Sequence, residues 1–244
     1  MNLKEYYRVK LSITGLLVIT LFFLYGCTEK PSGHTLSNLE DSAVFKIYVQ
    51  GSLIGTVDNS IDLKGNYHRK VSITLEGKRL EMSMSITPDR FGDWKIIDSQ
   101  NTLVGDIRAR RERNRADIFN KGEKRTVELP PGDYVYFDDF GNLLESVMLK
   151  NYDMDKKGKQ VFRRFRIPEV PGLGGYTLDI EVEFVERQVK TVAGKQWEFL
   201  IFNIKALGIT AQYWVDKDYK IYLTNASVQN VVSVREGFEE LLPK

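Results

Sequence analysis

Alternation of apolar and polar residues is the feature that most restricts how this chain can fold. Phe45, Ile47 and Val49 are each separated by a more polar residue, and the same period of two returns within Val71–Ile86 and Leu178–Phe184. A period of two places successive side chains on opposite faces of a strand. Because such alternation is typical of antiparallel sheets with one apolar and one polar face, we expect repeated antiparallel hairpins.

One stretch departs from this period. Within Asn142–Tyr152 the apolar residues follow helical spacing, and Asp138 and Asp139 precede them as candidate caps. The sequence therefore predicts a mainly β fold: a large curved antiparallel sheet, or a closed or half-closed barrel, with one or two short helices.

The N-terminal residues carry the pattern of an export signal. Lys4, Arg8 and Lys10 precede the apolar run Leu11–Gly26, and Cys27 follows it directly. A basic lead, an apolar stretch and a small residue at the cleavage point are the parts of a secretory signal peptide. The run is shorter than the ~20 apolar residues that cross a bilayer. We therefore predict a signal peptide at residues 1–26.

The end of this segment makes the prediction more specific. Leu24, Gly26 and Cys27 resemble the lipobox of bacterial lipoproteins, whose cysteine is lipidated and becomes the first mature residue, although Tyr25 is bulkier than the residue usual there. The resemblance implies that Cys27 carries acyl chains such as palmitate. It also implies a lipid-anchored protein of the cell envelope, facing the periplasm and held at the outer membrane in an organism that has one. Ordinary secretion and an uncleaved helical anchor are the alternatives.

The remaining chain divides simply. Residues 27–42 are polar and rich in Ser, Gly and Asn, which predicts a flexible tether. Residues 43–244 have a length and a pattern that suit a single β-rich domain.

Charge and cysteine content exclude several classes of function. Without the predicted signal peptide the chain has 32 basic and 32 acidic residues. A neutral domain has no global attraction for a polyanion, so we expect no nucleic-acid partner. Cys27 is the only cysteine of the sequence, which excludes a disulfide framework and leaves the β domain without a thiol nucleophile.

The common catalytic motifs are not found. The sequence has no Gly-x-Ser-x-Gly elbow, no His-Glu-x-x-His and no phosphate-binding glycine loop. The acidic pairs Asp138/Asp139 and Asp153/Asp155 keep a carboxylate-dependent envelope hydrolase as an alternative. We expect no cofactor and no metal site.

A short arginine-rich segment is the main local anomaly of charge. Five arginines fall within eight residues: Arg108, Arg110, Arg111, Arg113 and Arg115. We expect an exposed hairpin or rim that buries neither face. Such guanidinium groups suit the phosphates or carboxylates of lipid headgroups or an envelope polymer. The simpler interpretation, which we favour here and for the second basic run Lys156–Arg166, is a solvated edge that prevents strands from aggregating.

Four aromatic residues of the predicted strands are candidates for contact with a ligand or partner: Trp94, Trp197, Tyr213 and Trp214. They could line a cavity for an apolar ligand. Aromatic side chains at alternating positions more often form plain core. Since Tyr213 and Trp214 are consecutive, we expect one on each face of the sheet.

Short motifs across the chain resemble a loosely defined group of bacterial envelope β-proteins, which includes the β-domains ahead of some secreted α/β-hydrolases. The matching residues are Tyr48, Gly51 and Ile54-Gly55, then Asp139–Leu143, Tyr213–Asp216 and Val234–Glu239. More distantly, the architecture resembles the half-barrel of lipoprotein carriers, whose apolar concave face receives acyl chains. The resemblance implies a β fold but no catalytic residue, because the serine of the hydrolase-linked proteins lies in another domain.

These observations lead to one main hypothesis. The chain is expected to be a non-catalytic, lipid-anchored envelope protein whose curved sheet binds an apolar ligand or a partner protein. The alternatives are the hydrolase named above and a structural subunit of an envelope complex.

Replacement of the anchor cysteine tests the leader prediction. Cys27→Ser is expected to change both the mass of the mature protein and its partitioning into membranes, because the acyl chains are lost and each buried methylene contributes ~0.8 kcal/mol. Mass spectrometry and detergent phase separation measure the two effects. Thr28→Ser, which keeps the cysteine, is the control, and an unchanged mass and partitioning in Cys27→Ser would contradict the prediction.

Overall fold

A computed structural model describes Leu36 and residues 38–90, 92–102, 104–129, 134–136, 143–167 and 175–243 of this chain. The chain divides into two compact units, residues 1–31 and residues 32–244, and all described residues belong to the second unit. The predicted signal peptide, Cys27 and the candidate caps Asp138 and Asp139 lie outside the described residues.

Strands dominate the second unit. In chain order they are β1 Asp41–Val49, β2 Ser52–Ile61, β3 Tyr67–Leu75, β4 Lys78–Pro88, β5 Trp94–Asn101, β6 Gly105–Glu112, β7 Arg115–Asn120, β8 Glu123–Glu128, β9 Tyr134–Tyr136, β10 Lys159–Arg166, β11 Tyr176–Val192, β12 Lys195–Ala206, β13 Ile209–Val215, β14 Ile221–Ala226 and β15 Val231–Arg235. One α-helix, α1, spans Glu145–Lys150, and 3-10 turns span Ser227–Gln229 and Glu239–Leu241.

All fifteen strands form one sheet, in the order β8-β7-β6-β5-β4-β3-β2-β1-β15-β14-β13-β12-β11-β10-β9. Neighbouring strands are antiparallel, apart from the short parallel pair β9–β10. The sheet is curved, and its edge strands β8 and β9 do not pair with each other, so it is not closed. The prediction of a large curved antiparallel sheet with a short helix is thereby confirmed, and the closed barrel considered beside it is wrong.

The curvature brings distant strands together around one core. Trp94 of β5 stacks on Phe165 of β10 with 4.8 Å between the ring centroids, although nine strands lie between β5 and β10 in the sheet order. Helix α1 packs in the same core, because Leu144, Val147 and Met148 are buried at the helical spacing read from the sequence. We call this buried side of the sheet the concave face.

A second, smaller core lies apart from the first. Phe199, Tyr222 and Val234 form its buried part, and the C-terminal residues Phe238 and Leu242 pack against them. The end of the chain therefore covers apolar side chains that would otherwise be exposed on the outer face.

Residues ahead of the predicted domain boundary already contact the core. Leu36 is buried and its backbone N–H donates to the Gly92 carbonyl at 2.7 Å, while the Asn38 N–H donates to the Leu63 carbonyl at 3.1 Å. Strand β1 starts at Asp41. The division into a tether at residues 27–42 and a domain from residue 43 stays a prediction.

The turns define the two ends of the sheet. One end of the sheet, which we call the distal rim, carries the turns Gln50–Gly51, Glu76–Gly77 and Leu207–Gly208 and the loop Ser227–Asn230. The proximal rim is the opposite end, where the chain enters at Leu36 and where the β2–β3 turn, residues 62–66, is located. Strands of this length rise about 30 Å from one rim to the other.

Truncation of the helix tests its part in the core. Leu144→Ala is expected to lower the free energy of unfolding by roughly 2–5 kcal/mol, because it removes a fully buried side chain and leaves a cavity. Leu63→Ala, at an exposed leucine of the proximal rim, is the matched control and should change stability by less than about 0.5 kcal/mol. Chemical denaturation of both variants makes the comparison, and equal losses would contradict the packing of α1.

Candidate functional site

The concave face contains an open groove of about 440 Å³ beside the distal rim. Most of its wall is apolar and comes from β1 and from strands β11 to β15: Ile47, Leu178, Ile204, Ala206, Leu207, Ile209, Ala211, Ala226 and Val231. Strand alternation explains this lining, since every second residue of each strand points to the same face. Helix α1 has only six residues and fills another part of the core, which leaves this part of the concavity open.

Polar groups interrupt the apolar wall of the groove, and Thr224, Gln229 and Ser233 are among them. Arg164 and Arg166 of β10 and Tyr213 of β13 line it, and Arg166 Nη1 donates to the Tyr176 hydroxyl at 3.0 Å. A largely apolar cleft with a few convergent polar groups is the usual form of a ligand site. The groove is therefore the candidate functional site.

Behind the groove lies a buried charged cluster, which we define as Glu145, Arg164, Arg69 and Tyr213. Glu145 and Arg164 are each only 1% exposed, and Arg69 is buried as well. Arg164 Nε donates to the sulfur of Met148 at 3.3 Å, which holds the guanidinium against α1. Within the described part of the chain, Oε2 of Glu145 accepts no hydrogen bond.

Burial sets the protonation of this cluster. It raises the pKa of Glu145 to about 8, and the positive charges of Arg164 and Arg69 oppose that rise without cancelling it. Burial lowers the pKa of Arg164 to about 10, and the pKa of the Tyr213 hydroxyl is raised, again mainly by burial. Near neutral pH the carboxyl of Glu145 is therefore mostly protonated, while Arg164 stays charged.

The arginine-rich segment forms the β6–β7 hairpin, away from the groove wall. Arg108 pairs with Asp98 at 2.5 Å, and Arg115 pairs with Glu112 at 2.9 Å, both in exposed positions. Arg111 instead turns inward, with its guanidinium 5.7 Å from the ring centroid of Trp94.

The expectation that this hairpin buries neither face is wrong. Ile107 and Ala109 alternate with the arginines of β6 and are fully packed in the core. Arg110 and Arg113 are exposed. Contact of these arginines with anionic groups stays a prediction.

The four aromatic candidates take three different positions. Trp94 is a core residue stacked on Phe165, and Trp197 and Trp214 are half-buried in the outer-face core. Tyr213 alone lines the groove. The prediction that Tyr213 and Trp214 occupy opposite faces is confirmed, because they belong to different cores.

Sequence reasoning missed the buried charged cluster. The interpretation of the whole run Lys156–Arg166 as a solvated edge is wrong at Arg164, which is buried. The sequence does contain a sign of this burial. Arg164 lies two residues after the buried Phe162 and so shares its face of the strand, and Arg69 likewise shares a face with Tyr67 and Val71. A charged residue at a strand position whose alternate neighbours are apolar is expected to face the core, and therefore indicates a buried ionic group.

A second cavity, of about 780 Å³, lies across strands β2 to β7 and is polar. Neighbouring strands supply its lining, which includes the exposed His68 of β3 and the half-buried Ser85 of β4 and Asp98 of β5. Ser85 lies between the other two in register. Its lining includes four lysines and arginines and three aspartates. It therefore differs in chemistry from the apolar groove.

The described residues contain no group of three His, Cys, Asp or Glu side chains placed to hold a metal ion. None of their helices is long and apolar enough to cross a membrane.

No protein-family model and no curated protein matches this chain. Among solved structures it is similar to a DUF1089 family protein from Pseudomonas aeruginosa, with 12% identity, a TM-score of 0.43, and coverage of 68% of this chain and 85% of that chain. It is also similar to a proposed exported protein with a YmcC-like fold from Bacteroides fragilis, with 12% identity, a TM-score of 0.29, and coverage of 83% and 97%. A proposed lipoprotein from Parabacteroides distasonis shares 11% identity at a TM-score of 0.28, again with coverage of 83% and 97%.

The buried carboxyl predicts a dependence of stability on pH. The pKa of Glu145 rises from 4.5 to about 8 on folding, so the native state binds the extra proton and stability falls as the pH rises through that window. Glu145→Gln, which stays neutral, is expected to gain stability over the wild type as the pH rises, on the order of 1.4 kcal/mol per unit of pKa difference.

Urea denaturation at pH 5 and pH 8.5 measures this effect. Glu76→Gln, at an exposed turn, is the control and should follow the wild type at both pH values. A Glu145→Gln profile parallel to that of the wild type would show that the carboxyl has an ordinary pKa.

Proposed function

We propose that this chain is a non-catalytic, lipid-anchored protein of the cell envelope whose concave groove binds an acyl chain with an anionic end. The observation that carries the proposal is the combination of an apolar groove of about 440 Å³ with Arg164 and Arg166 in its wall. The predicted lipoprotein signal supports the location, and the groove supports the binding activity.

The size and lining of the groove support an apolar ligand. Its volume falls within the roughly 300–1,000 Å³ of small-molecule sites. Each methylene transferred from water to such a wall contributes about 0.8 kcal/mol, so a chain of several methylenes supplies the affinity without further polar contacts.

The charge at one end supports an anionic group on that ligand. Arg164 lies in the groove wall and stays charged near neutral pH, where the carboxyl of Glu145 is mostly protonated. Arg166 adds a second guanidinium to the wall. A carboxylate or phosphate is the group that guanidinium forks match best.

Filling the groove tests the binding site. Ala211→Phe places a ring where the groove is open, so the affinity of residues 32–244 for a fluorescent fatty acid should fall at least tenfold. This segment contains every described residue, and hence the whole described core. Fluorescence titration measures the affinity. Thr191→Phe, at an exposed position near the β11–β12 turn, is the control for added aromatic surface.

Unchanged binding by Ala211→Phe, with a normal melting curve, would place the ligand elsewhere. A wild-type segment that binds no fatty acid would refute the proposed ligand class.

Removal of a charge tests the anionic end. Arg166→Gln should weaken binding of a fatty acid severalfold while leaving binding of the alcohol of equal chain length unchanged, because only the acid needs the guanidinium. Competition against the same fluorescent probe measures both ligands. Arg110→Gln, on the exposed β6–β7 hairpin, is the matched control, and an equal loss for acid and alcohol would contradict a charge-specific role.

A further inference from the structure

The distal rim exposes an unusual row of apolar side chains. Val228 is 80% exposed and Leu207 is 70% exposed, the highest values among the large hydrophobic residues that the structure describes. Leu53 and Leu75, also exposed, flank the next two turns of the same rim in sheet order. Single exposed apolar residues are normal, but four on consecutive turns of one rim form a surface feature.

The backbone conformation of Leu207 makes the exposed apolar row of the distal rim harder to explain by folding alone. Leu207 has a φ of 51° and precedes Gly208 with a φ of 79°, the backbone of a tight hairpin turn. Asn and Asp are favoured at the first position of such turns, because they tolerate the left-handed region and interact with water. Leucine is less suited on both counts, so an apolar contact outside the fold would account for it.

The exposed tips are continuous with the groove. Leu207 lines the groove, and Gln229, the residue after Val228, lines it as well. The mouth of the groove therefore opens between two apolar turn tips. An acyl chain that leaves an apolar layer at this point can enter the groove without crossing water.

Charge beside the mouth fits the surface of a phospholipid layer. Lys205, two residues before Leu207, is exposed, and Arg166 lies in the groove wall. Apolar tips next to basic side chains are the combination found in proteins that sit at the boundary between headgroups and acyl chains.

From these observations we propose that the distal rim docks on a phospholipid bilayer and inserts Leu207 and Val228 between the headgroups, so that the groove exchanges its ligand directly with the lipid layer. This inference rests on the proposed groove function, because the bilayer is taken as the source or acceptor of the acyl ligand.

Vesicle flotation of residues 32–244 tests the docking. Vesicles of phosphatidylethanolamine and phosphatidylglycerol should carry the wild-type segment to the top of a density gradient. Leu207→Asp combined with Val228→Asp should reduce the floated fraction at least tenfold, because two charges would replace the inserted side chains. Leu63→Asp is the matched control, since Leu63 is 59% exposed on a turn of the proximal rim, and it should float like the wild type.

The outcomes separate this inference from the function it rests on. A double variant that no longer floats but still binds a soluble fluorescent fatty acid supports docking by the rim. A double variant that floats like the wild type, or a wild type that does not float, overturns the docking even when the groove binds fatty acid. Loss of flotation in Ala211→Phe with the rim intact would instead show that the groove, not the rim, holds the membrane.

Discussion

The pairing of the first strand with the last is the interaction on which this architecture depends. Strand β1 lies antiparallel to β15, with Phe45 opposite Arg235 and Val49 opposite Val231. Without this contact the sheet would separate into β1–β8 and β9–β15. Arg235 reinforces the junction, since it pairs with Asp41 and lies 4.8 Å above the ring of Tyr222. Only a joined sheet can curve far enough to form one concave core.

The size of the helix then determines what the concave face can do. Helix α1 spans six residues, Glu145–Lys150, and five of them are buried. It seals one part of the concavity and leaves the groove next to the distal rim. Its first residue also brings a carboxyl beside Arg164, and burial keeps that carboxyl mostly protonated near neutral pH. The filling of the concave core and the electrostatics of the groove therefore both depend on the short helix α1.

Local patterns could predict the strands and the helix, but not the site. The alternation of Phe45 and Ile47 is set by neighbouring residues, and so is the spacing of Val147 and Met148; all four lie where the pattern put them. The β1–β15 pairing joins residues almost two hundred positions apart, and no local period reports it. Arg164 is buried against Met148 of α1 and near Tyr213 of β13, and no local period reports these contacts either. For this reason the sequence alone led us to interpret the whole run Lys156–Arg166 as solvated, although Arg164 is buried.

Several features of the groove lower the stability of the fold, and they lie between its buried charged cluster and its mouth. Buried ionic groups such as Glu145 and Arg164 are often no better for stability than apolar residues of similar volume. Leu207 holds a left-handed backbone and an exposed apolar side chain at the mouth. A chain that needed only to fold would gain from replacing each of them. Since the arginine and the leucine both line the groove, their joint presence there supports the proposed binding of an acyl ligand.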